Sequence, residues 1–150
     1  RNGDFAEAAE GRPAGWAYWQ DEKQPTGIFS HDAALGAARI THAANGSFSQ
    51  SFKVHLGERY AVCAKARQSG NGVVALRIGW KGSDGKCTRG DSSSRLTLVD
   101  AQPGQWKELV GATQVPEGVA ELGISLFATG QTQESDAAWF DDVRVVRFDR

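Results

Sequence analysis

Apolar and polar residues alternate in short runs along this chain, and turn residues separate the runs. This period-two pattern predicts β-strands with one buried face, and no stretch shows the 3.6-residue period of a helix. The turns carry residues that accept tight backbone geometry, such as Asn45-Gly46 and Pro116-Glu117-Gly118. The predicted strands cover residues 15–20, 27–30, 37–42, 47–55, 59–68, 73–81, 95–99, 106–115, 120–128 and 138–148.

About ten strands in one layer would twist too far, so two packed sheets are expected. Strands 59–68 and 73–81 are expected to form a hairpin through Ser69-Gly70-Asn71-Gly72. A length of 150 residues fits one domain, 1–150, with a two-layer core. The sequence therefore predicts an all-β fold, a β-sandwich of two antiparallel sheets.

Period-two alternation also divides the strand residues between two faces. The predicted core residues are Tyr60, Val62, Ala64, Ala66, Val74, Leu76, Ile78, Trp80, Leu122, Ile124 and Leu126. The opposite, polar face is predicted to carry Cys63, Lys65, Arg67, Arg77, Lys81, Glu121, Ser125 and Phe127. Most charged strand residues simply face water, so a solvated outer surface is the default interpretation of this face.

Charge and hydropathy argue against two classes of partner. The net charge is −1 and the pI is about 6.3, without the basic stripe that nucleic-acid binding requires. No apolar run approaches the roughly 20 residues that span a bilayer, so no membrane partner is expected. The chain has no Met and begins at Arg1, which predicts a processed product or a module excised from a larger protein.

The last predicted strand contains two adjacent carboxylates, Asp141 and Asp142. Burying such charges is costly unless a cation offsets them. If the first and last strands lie side by side, carbonyl oxygens near Asp4 meet the Asp141 carboxylate. Calcium takes six to eight oxygen ligands of these kinds, so the sequence predicts a structural Ca²⁺ that joins the two ends of the domain.

Catalysis has little support in the sequence. His31, His42 and His55 lack metal-ligand spacing, and Asp141 and Asp142 are expected to alternate onto opposite faces. The polar loop at 81–91 contains the integrin-type tripeptide Arg89-Gly90-Asp91. We interpret this short match as a coincidence. The chain is predicted not to be an enzyme.

Cys63 and Cys87 leave two alternatives open. A disulfide between them would close a loop of about two dozen residues and contribute roughly 3 kcal/mol in the chain-entropy model. Cys63 lies in the middle of a predicted strand, however, and Cys87 lies beyond the end of the next one. The bond forms only if the loop folds back over the sheet.

An ordered series of motifs resembles a known family. The series runs NGDFA, GW, Gly36, FSQSFKVHLGERYAVCAKAR, RIGWKGSDG, QWKELVGATQVPEG, ELGISL and AWFDDVRVV, from Asn2 to Val146. It is similar to the calcium-containing jelly-roll carbohydrate-binding modules, which have a galactose-binding-domain-like fold and include xylan- and β-glucan-binding families. The resemblance implies a non-catalytic, secreted module that targets an attached polysaccharide-degrading enzyme to a plant, algal or microbial glycan.

The resemblance also implies the calcium ligands. They would be a carbonyl at Asp4, carbonyls in the loop from His31 to Leu35, and the Asp141 carboxylate. The chain departs from the family at Ala6, where many relatives have a Glu that also binds the metal. Glu7 replaces it only if the strand is bulged there.

Sugar binding needs aromatic rings that lie against pyranose rings, together with planar polar groups. Tyr18 and Trp19 lie beside a polar run and point to opposite faces, so Trp19 is the preferred ligand contact and Tyr18 the second. Trp80 and Phe127 are further candidates, although Trp80 ends a core-facing series. The arginines and lysine of the polar face, Lys65, Arg67 and Arg77, would favour an acidic glycan.

Two functions remain open at this stage. The first is a glycan-binding module, monomeric, in one polypeptide with a catalytic domain. The second is a structural or protein-contacting β-sandwich without sugar affinity. An exposed aromatic ring beside Arg and Gln in a groove favours the first, whereas a flat, charged sheet without rings favours the second.

Overall fold

The structure is a computed structural model that describes residues 1–88 and 94–148. Within these residues it consists of strands and loops, without a helix, and so without one that could cross a bilayer. The strands are β1 (Ala8–Ala9), β2 (Arg12–Pro13), β3 (Ala17–Gln20), β4 (Ile28–Asp32), β5 (Ala37–Thr41), β6 (Asn45–Lys53), β7 (Arg59–Ser69), β8 (Val73–Lys81), β9 (Ser94–Thr97), β10 (Lys107–Gln114), β11 (Glu121–Thr129) and β12 (Ala137–Arg147).

Two five-stranded antiparallel sheets form the sandwich. Sheet I has the order β3-β6-β11-β8-β9, and sheet II has the order β10-β7-β12-β5-β4. The two-residue strands β1 and β2, which the sequence pattern did not predict, form a separate small ribbon. The predicted fold class, a β-sandwich jelly roll of two antiparallel sheets, is confirmed.

The core lies between the sheets and contains the residues that alternation assigned to it. Along β7, Tyr60, Val62, Ala64 and Ala66 are all buried, and so are the core-facing residues of β8 and β11. The reason is geometric, because the two-residue period of a strand turns every second side chain towards the opposite sheet.

The connection between β7 and β8 differs from the prediction. The two strands do not form a hairpin, because β7 pairs with β10 and β12 in sheet II whereas β8 pairs with β11 and β9 in sheet I. Both strands bury an apolar face, and they do so from opposite sides of the same core. The segment from Ser69 to Gly72 therefore crosses from one sheet to the other.

Asp136 holds this crossing in place. Its carboxylate is fully buried and accepts hydrogen bonds from the backbone N–H groups of Asn71 at 2.7 Å, Thr132 at 2.8 Å and Gln133 at 2.8 Å. Gly70 has a φ of 68°, and a Cβ there would collide with this carboxylate. The crossing thus depends on a glycine beside a buried, hydrogen-bonded charge.

The two ends of the domain lie together, as predicted. The backbone N–H of Val143 donates to the carbonyl of Gly3 at 2.7 Å. The pairing of β12 with β7 shifts between Asp141 and Arg144, and Asp142 has a φ of 51° at this bulge. The expectation that the two carboxylates alternate onto opposite faces is therefore wrong. At the bulge, the Asp142 carboxylate lies 3.2 Å from Lys65 Nζ, on the same outer face as Asp141.

The predicted loop at 81–91 lies partly outside the described residues. The structure describes it as far as Thr88, where the backbone N–H of Thr88 donates to the carbonyl of Trp80 at 2.9 Å. Arg89-Gly90-Asp91 falls outside the described part of the chain.

Replacing Asp136 with Asn should destabilise the protein in a pH-dependent way. Hydrogen bonds from Asn71, Gln133 and Thr132 lower the pKa of the Asp136 carboxyl. A lowered folded-state pKa stabilises the fold above the unfolded value of about 3.9, and this stabilisation disappears as the pH falls through the folded value. Thermal unfolding followed by circular dichroism should show a lower Tm for Asp136→Asn at pH 7, with a deficit that shrinks towards pH 3.

Asp100→Asn is the matched control. Asp100 is exposed, and its carboxylate accepts no hydrogen bond from the described residues. The control should unfold like the wild type at every pH. An Asp136→Asn deficit that is constant between pH 7 and pH 3 would contradict the assigned role.

Candidate functional site

The outer face of sheet I carries its side chains in rows that run across the strands. In one row, Trp19 of β3 lies opposite Ser47, Ser47 opposite Phe127, and Phe127 opposite Ala75. Neighbouring strands are about 4.8 Å apart, so Trp19 and Phe127 are about 10 Å apart along the row. Two aromatic rings therefore flank a single small residue, Ser47.

The middle of this face forms a depression, because the outward-facing residues there have small side chains or none. Gly79 and Gly123 lie opposite each other, and Ser125 lies between Ser49 and Arg77 in the neighbouring row. A Cβ placed on Gly79 would meet no atom within 4 Å. The result is the sheet I groove, a cavity of about 360 Å³ whose lining includes Trp19, Ser47, Ser49, Gln50, Arg77, Gly79, Lys81, Cys87, Thr88, Gly123, Ser125 and Phe127.

Trp19 is the exposed ring of this groove. It lies on the outer face of the edge strand β3, and 51% of its surface is exposed. Phe127 is half-buried on the floor, with the Arg95 guanidinium 5.2 Å from its ring centroid. An indole left uncovered at the edge of a sheet presents a flat apolar surface to a ligand in the groove.

The structure corrects two of the aromatic candidates. Tyr18 points to the other side of β3, where its ring lies 5.1 Å from that of Phe29 and 4.6 Å from the Arg12 guanidinium. Trp80 also borders the groove, but it is only 2% exposed and its ring belongs to the main core. Neither ring can stack on a ligand in the groove, because alternation turns both away from it.

The cationic candidates are divided between the two sheets. Arg77 lies in the sheet I groove, whereas Lys65 and Arg67 lie on the outer face of sheet II. Lys65 pairs with Asp142 at 3.2 Å, and the Arg67 guanidinium lies 5.0 Å from the ring centroid of Trp139. The predicted single polar face is wrong because β7 and β8 belong to different sheets.

Sequence reasoning missed a cation beside the groove, Arg95, which neighbours two residues of its lining, Arg77 and Phe127. The register of β8 and β9 places Arg95 directly opposite Arg77, and both side chains are exposed. The available signal was the period-two pattern of β9, which gives Arg95 and Thr97 the same face. The pattern does not reveal that β9 pairs with β8.

The groove also contains a hydrogen-bonded polar group at one end. Lys81 Nζ lies 3.2 Å from Ser51 Oγ, which in turn donates to the Glu121 carboxylate at 2.8 Å. The hydroxyls of Ser49 and Ser125 make no hydrogen bond to other described side chains. Hydroxyl donors and acceptors therefore remain available on the floor.

A second cavity of about 810 Å³ opens between the sheets near Val143. Two of its three aromatic residues are nearly covered, since Trp16 is 9% and Tyr60 is 8% exposed, and the third, Phe52, is half-buried with its ring 5.6 Å from that of Tyr60. Gln50, at its mouth, donates to the carbonyls of Arg1 at 2.8 Å and Gly15 at 3.0 Å. Trp16 and Tyr60 thus pack in the core, and Phe52 packs against it.

Two of the predicted metal ligands, Asp4 and Asp141, lie where the N-terminal segment meets the bulge of β12. Burial raises the pKa of the Asp141 carboxyl, and the negative charges of Asp142 and Asp4 raise it further. Asp4 is therefore close enough to Asp141 for their charges to interact. Two carboxylates and nearby backbone carbonyls are oxygen donors of the kind that calcium takes, so these residues fit the ion.

His31 and Leu35 would contribute only backbone oxygens. The His31 imidazole Nε2 lies 2.8 Å from the carbonyl of Phe5, so this side chain is already engaged. Leu35 is 39% exposed, and its backbone N–H donates to Asp32 at 3.2 Å. Within residues 1–88 and 94–148, no three His, Cys, Asp or Glu side chains cluster as a metal site.

Both cysteines are free thiols in the structure. Cys63 lies on the outer face of sheet II, opposite Val110 and Arg144. Cys87 forms a bridge with Lys81 at the end of β8 and lines the sheet I groove. Of the two alternatives that the sequence leaves open, the structure therefore has the unbonded one, because the two residues lie on opposite surfaces of the sandwich.

Comparisons with known proteins concern the fold. No protein-family model and no protein with a curated description matches this chain. A CBM4 carbohydrate-binding module is 19% identical, with 99% of each chain covered and a TM-score of 0.67. The CBM22-2 xylan-binding domain of Xyn10C from Paenibacillus barcinonensis is 14% identical, with 97% of this chain and 98% of that chain covered and a TM-score of 0.68.

A larger protein contains the same fold as one part. The enzymatically active domain of tailspike protein 4 from bacteriophage CBA120 is 12% identical and has a TM-score of 0.73. The match covers 99% of this chain but 21% of that one. Identities this low establish the fold alone: the chain shares the β-sandwich jelly roll of these carbohydrate-binding modules.

Proposed function

We propose that this chain is a non-catalytic glycan-binding module and that the glycan lies across the sheet I groove. The observation that carries the proposal is Trp19, which is 51% exposed beside a floor of Ser and Gly residues. A pyranose ring has an apolar face and an equatorial rim of hydroxyls. The indole would cover the face, while groups on the floor would bond to the rim.

The polar groups of the groove support binding along a polysaccharide chain. The Ser49 and Ser125 hydroxyls and the Arg77 guanidinium lie in one row beside the aromatic row. Hydroxyls can donate and accept, whereas a guanidinium donates in a fixed plane. Because the groove crosses several strands, a bound chain would meet both rows along its length.

The proposal extends to the larger protein of which this module would be a part. A module that holds a polysaccharide would raise the local concentration of an attached catalytic domain at its substrate. The tailspike chain supports this arrangement, because the fold forms 21% of a domain described as enzymatically active. Attachment to a secreted, polysaccharide-degrading enzyme, with the module itself monomeric, follows as our working assignment.

The second candidate function has one observation in its favour. On the outer face of sheet II, Arg39 and Arg67 lie 5.5 Å and 5.0 Å from the ring centroid of Trp139, and Trp106 packs beside it. Tryptophan and arginine are enriched at protein interfaces. A structural or protein-contacting role would therefore use sheet II and leave the sheet I groove without sugar.

We also propose a structural calcium between Asp4 and Asp141. Burial, together with the negative charges of Asp142 and Asp4, raises the pKa of Asp141, and a bound cation would offset both effects and hold the N-terminal segment against β12. Carbonyls of Asp4 and of the segment from His31 to Leu35 would complete the oxygen shell. When bound, the ion would serve as a structural link and supply no chemistry to the groove.

Trp19→Ala should abolish most glycan binding. Truncating a central aromatic contact costs about 2 kcal/mol or more, which is roughly a 30-fold loss of affinity. Native affinity electrophoresis through gels containing neutral β-glucans, xylans, mannans and acidic polysaccharides would measure the retardation. Tyr18→Ala is the matched control, because Tyr18 is 47% exposed but points to the other side of β3. Equal losses in the two variants would contradict the assigned groove.

Gly79→Tyr should block the groove from within. A Cβ at Gly79 meets no atom within 4 Å, and its φ lies outside the left-handed region, so the backbone accepts a side chain that points into the groove. We expect an unchanged Tm together with loss of retardation in the same gels. Retardation equal to that of the wild type would show that the ligand binds elsewhere, with sheet II as the next surface to test.

Removing calcium should lower the Tm by about 5 to 10 °C if calcium is present at about 100 times its Kd, because the ion binds only the folded state. Differential scanning calorimetry of calcium-loaded protein, with and without a chelator, measures this shift. No shift would contradict the metal site.

The effect of Asp141→Asn on stability should have opposite signs in chelator and in calcium. A raised folded-state pKa means that the ionised carboxylate costs the metal-free fold stability above its unfolded pKa. With chelator, the variant should therefore be at least as stable as the wild type. With calcium it should be less stable, because it has lost a ligand. A variant that is less stable than the wild type under both conditions would instead indicate a packing role.

A further inference from the structure

We propose that the sheet I groove selects anionic glycans, those that carry uronic acid carboxylates, through Arg77 and Arg95. This inference rests on the proposed glycan-binding function and names the ligand class of the same groove. It assigns to Arg95 a role in specificity that the sequence pattern alone does not suggest.

The first observation is an uncompensated pair of charges. Arg77 and Arg95 lie directly opposite each other on β8 and β9, and both are exposed. Like charges at such positions destabilise a sheet. Among the described residues neither arginine has an ion-pair partner, whereas Arg144 and Arg147 on sheet II pair with Glu108 at 3.0 Å and with Glu58 at 2.7 Å.

The second observation is that the Arg95 guanidinium is held in position. Arg95 lies on β9, yet its guanidinium is 5.2 Å from the ring centroid of Phe127 on β11. The side chain therefore spans β8, where the outward-facing Ala75 is fully buried. A cation held over a ring loses less freedom on binding, and its planar fork matches a carboxylate.

The third observation is the sign of the charge along the groove. Its described lining contains the cations Arg77 and Lys81 and no acidic side chain. Glu121, the nearest acid in the register, accepts a hydrogen bond from Ser51 at 2.8 Å. A carboxylate between Arg77 and Arg95 would relieve their repulsion and form charge-assisted hydrogen bonds.

The arginines of sheet II differ in this respect and provide a control. Arg39 and Arg67 both stack on Trp139, which is only 9% exposed and donates from its indole Nε1 to Asp32 at 2.9 Å. Arg39→Gln changes the net charge of the protein by the same amount as Arg77→Gln. It does so on the opposite surface of the sandwich.

The test compares soluble oligosaccharides of alginate, polygalacturonate and glucuronoxylan with their carboxyl-reduced forms, by isothermal titration calorimetry. Carboxyl reduction replaces each carboxylate with a CH₂OH group and removes its charge. The wild type should bind at least one acidic oligosaccharide about tenfold more tightly than the reduced form, since hydrogen bonds between charged groups are the stronger class. Raising NaCl from about 0.05 M to about 0.5 M should weaken only the acidic binding.

The variants locate the effect. Arg95→Gln should lose about tenfold in affinity for the acidic form and keep its affinity for the reduced form. Arg77→Gln should lose more affinity for the acidic form than for the reduced form, because its guanidinium also faces the hydroxyls of the glycan. Both variants should have a Tm equal to or above that of the wild type. Arg39→Gln should bind like the wild type.

Three results would overturn the inference. Equal affinity for acidic and reduced oligosaccharides would overturn the anionic selectivity and leave glycan binding intact. Loss of acidic binding in Arg39→Gln alone would move the selectivity to sheet II. Absence of binding to every oligosaccharide and polysaccharide would overturn the proposed function itself.

Discussion

The pairing of β11 with β6 on one side and β8 on the other is the constraint on which the rest of the structure depends. Its register buries Leu122, Ile124 and Leu126 in the core and at the same time places Ser125 and Phe127 in the sheet I groove. A slip by one residue would exchange the two sets, exposing three large apolar side chains. The free energy that forms the core therefore also fixes the geometry of the strand residues that line the groove.

The face of each strand could be predicted from sequence, and the sheet to which each strand belongs could not. Alternation alone identified the buried residues of β7, β8 and β11, because burial follows the two-residue period. The assignment of β7 and β8 to one hairpin failed, since a Gly-rich turn fits both a hairpin and a crossing between sheets. Asp136, 65 residues away from Asn71 in sequence, stabilises the crossing through its hydrogen bond, and a local pattern does not reveal so distant a partner.

The same limit explains the errors in the candidate site. The sequence pattern places Lys65, Arg67 and Arg77 on one face, because each alternates with core residues on strands that are consecutive in sequence. The crossing between β7 and β8 puts Arg77 on the opposite surface from Lys65 and Arg67. Trp19 was the preferred ring over Tyr18, and the structure places only Trp19 on the groove. Arg95 was missed because its importance comes from its partner across β8 and β9, which is a property of pairing and not of composition.

The bulge in β12 shapes the place where the two ends of the domain meet. The bulge at Asp142 brings two carboxylates to the same side and leaves the N–H of Val143 free to bond to Gly3. A regular strand would have separated those charges and continued its pairing along β7. The bulge thus concentrates negative charge where the N-terminal segment meets β12, on the opposite sheet from the groove.

The central claim is that a glycan occupies the outer face of sheet I, and the two cysteines allow it to be tested in the unmodified protein. Cys87 lines the sheet I groove, and Cys63 lies on the outer face of sheet II. The rate of alkylation of each thiol would be measured by mass spectrometry, with and without a saturating concentration of a glycan that retards the protein. The account predicts that the glycan slows alkylation of Cys87 and leaves Cys63 unchanged. Protection of Cys63 instead, or of neither thiol, would contradict it.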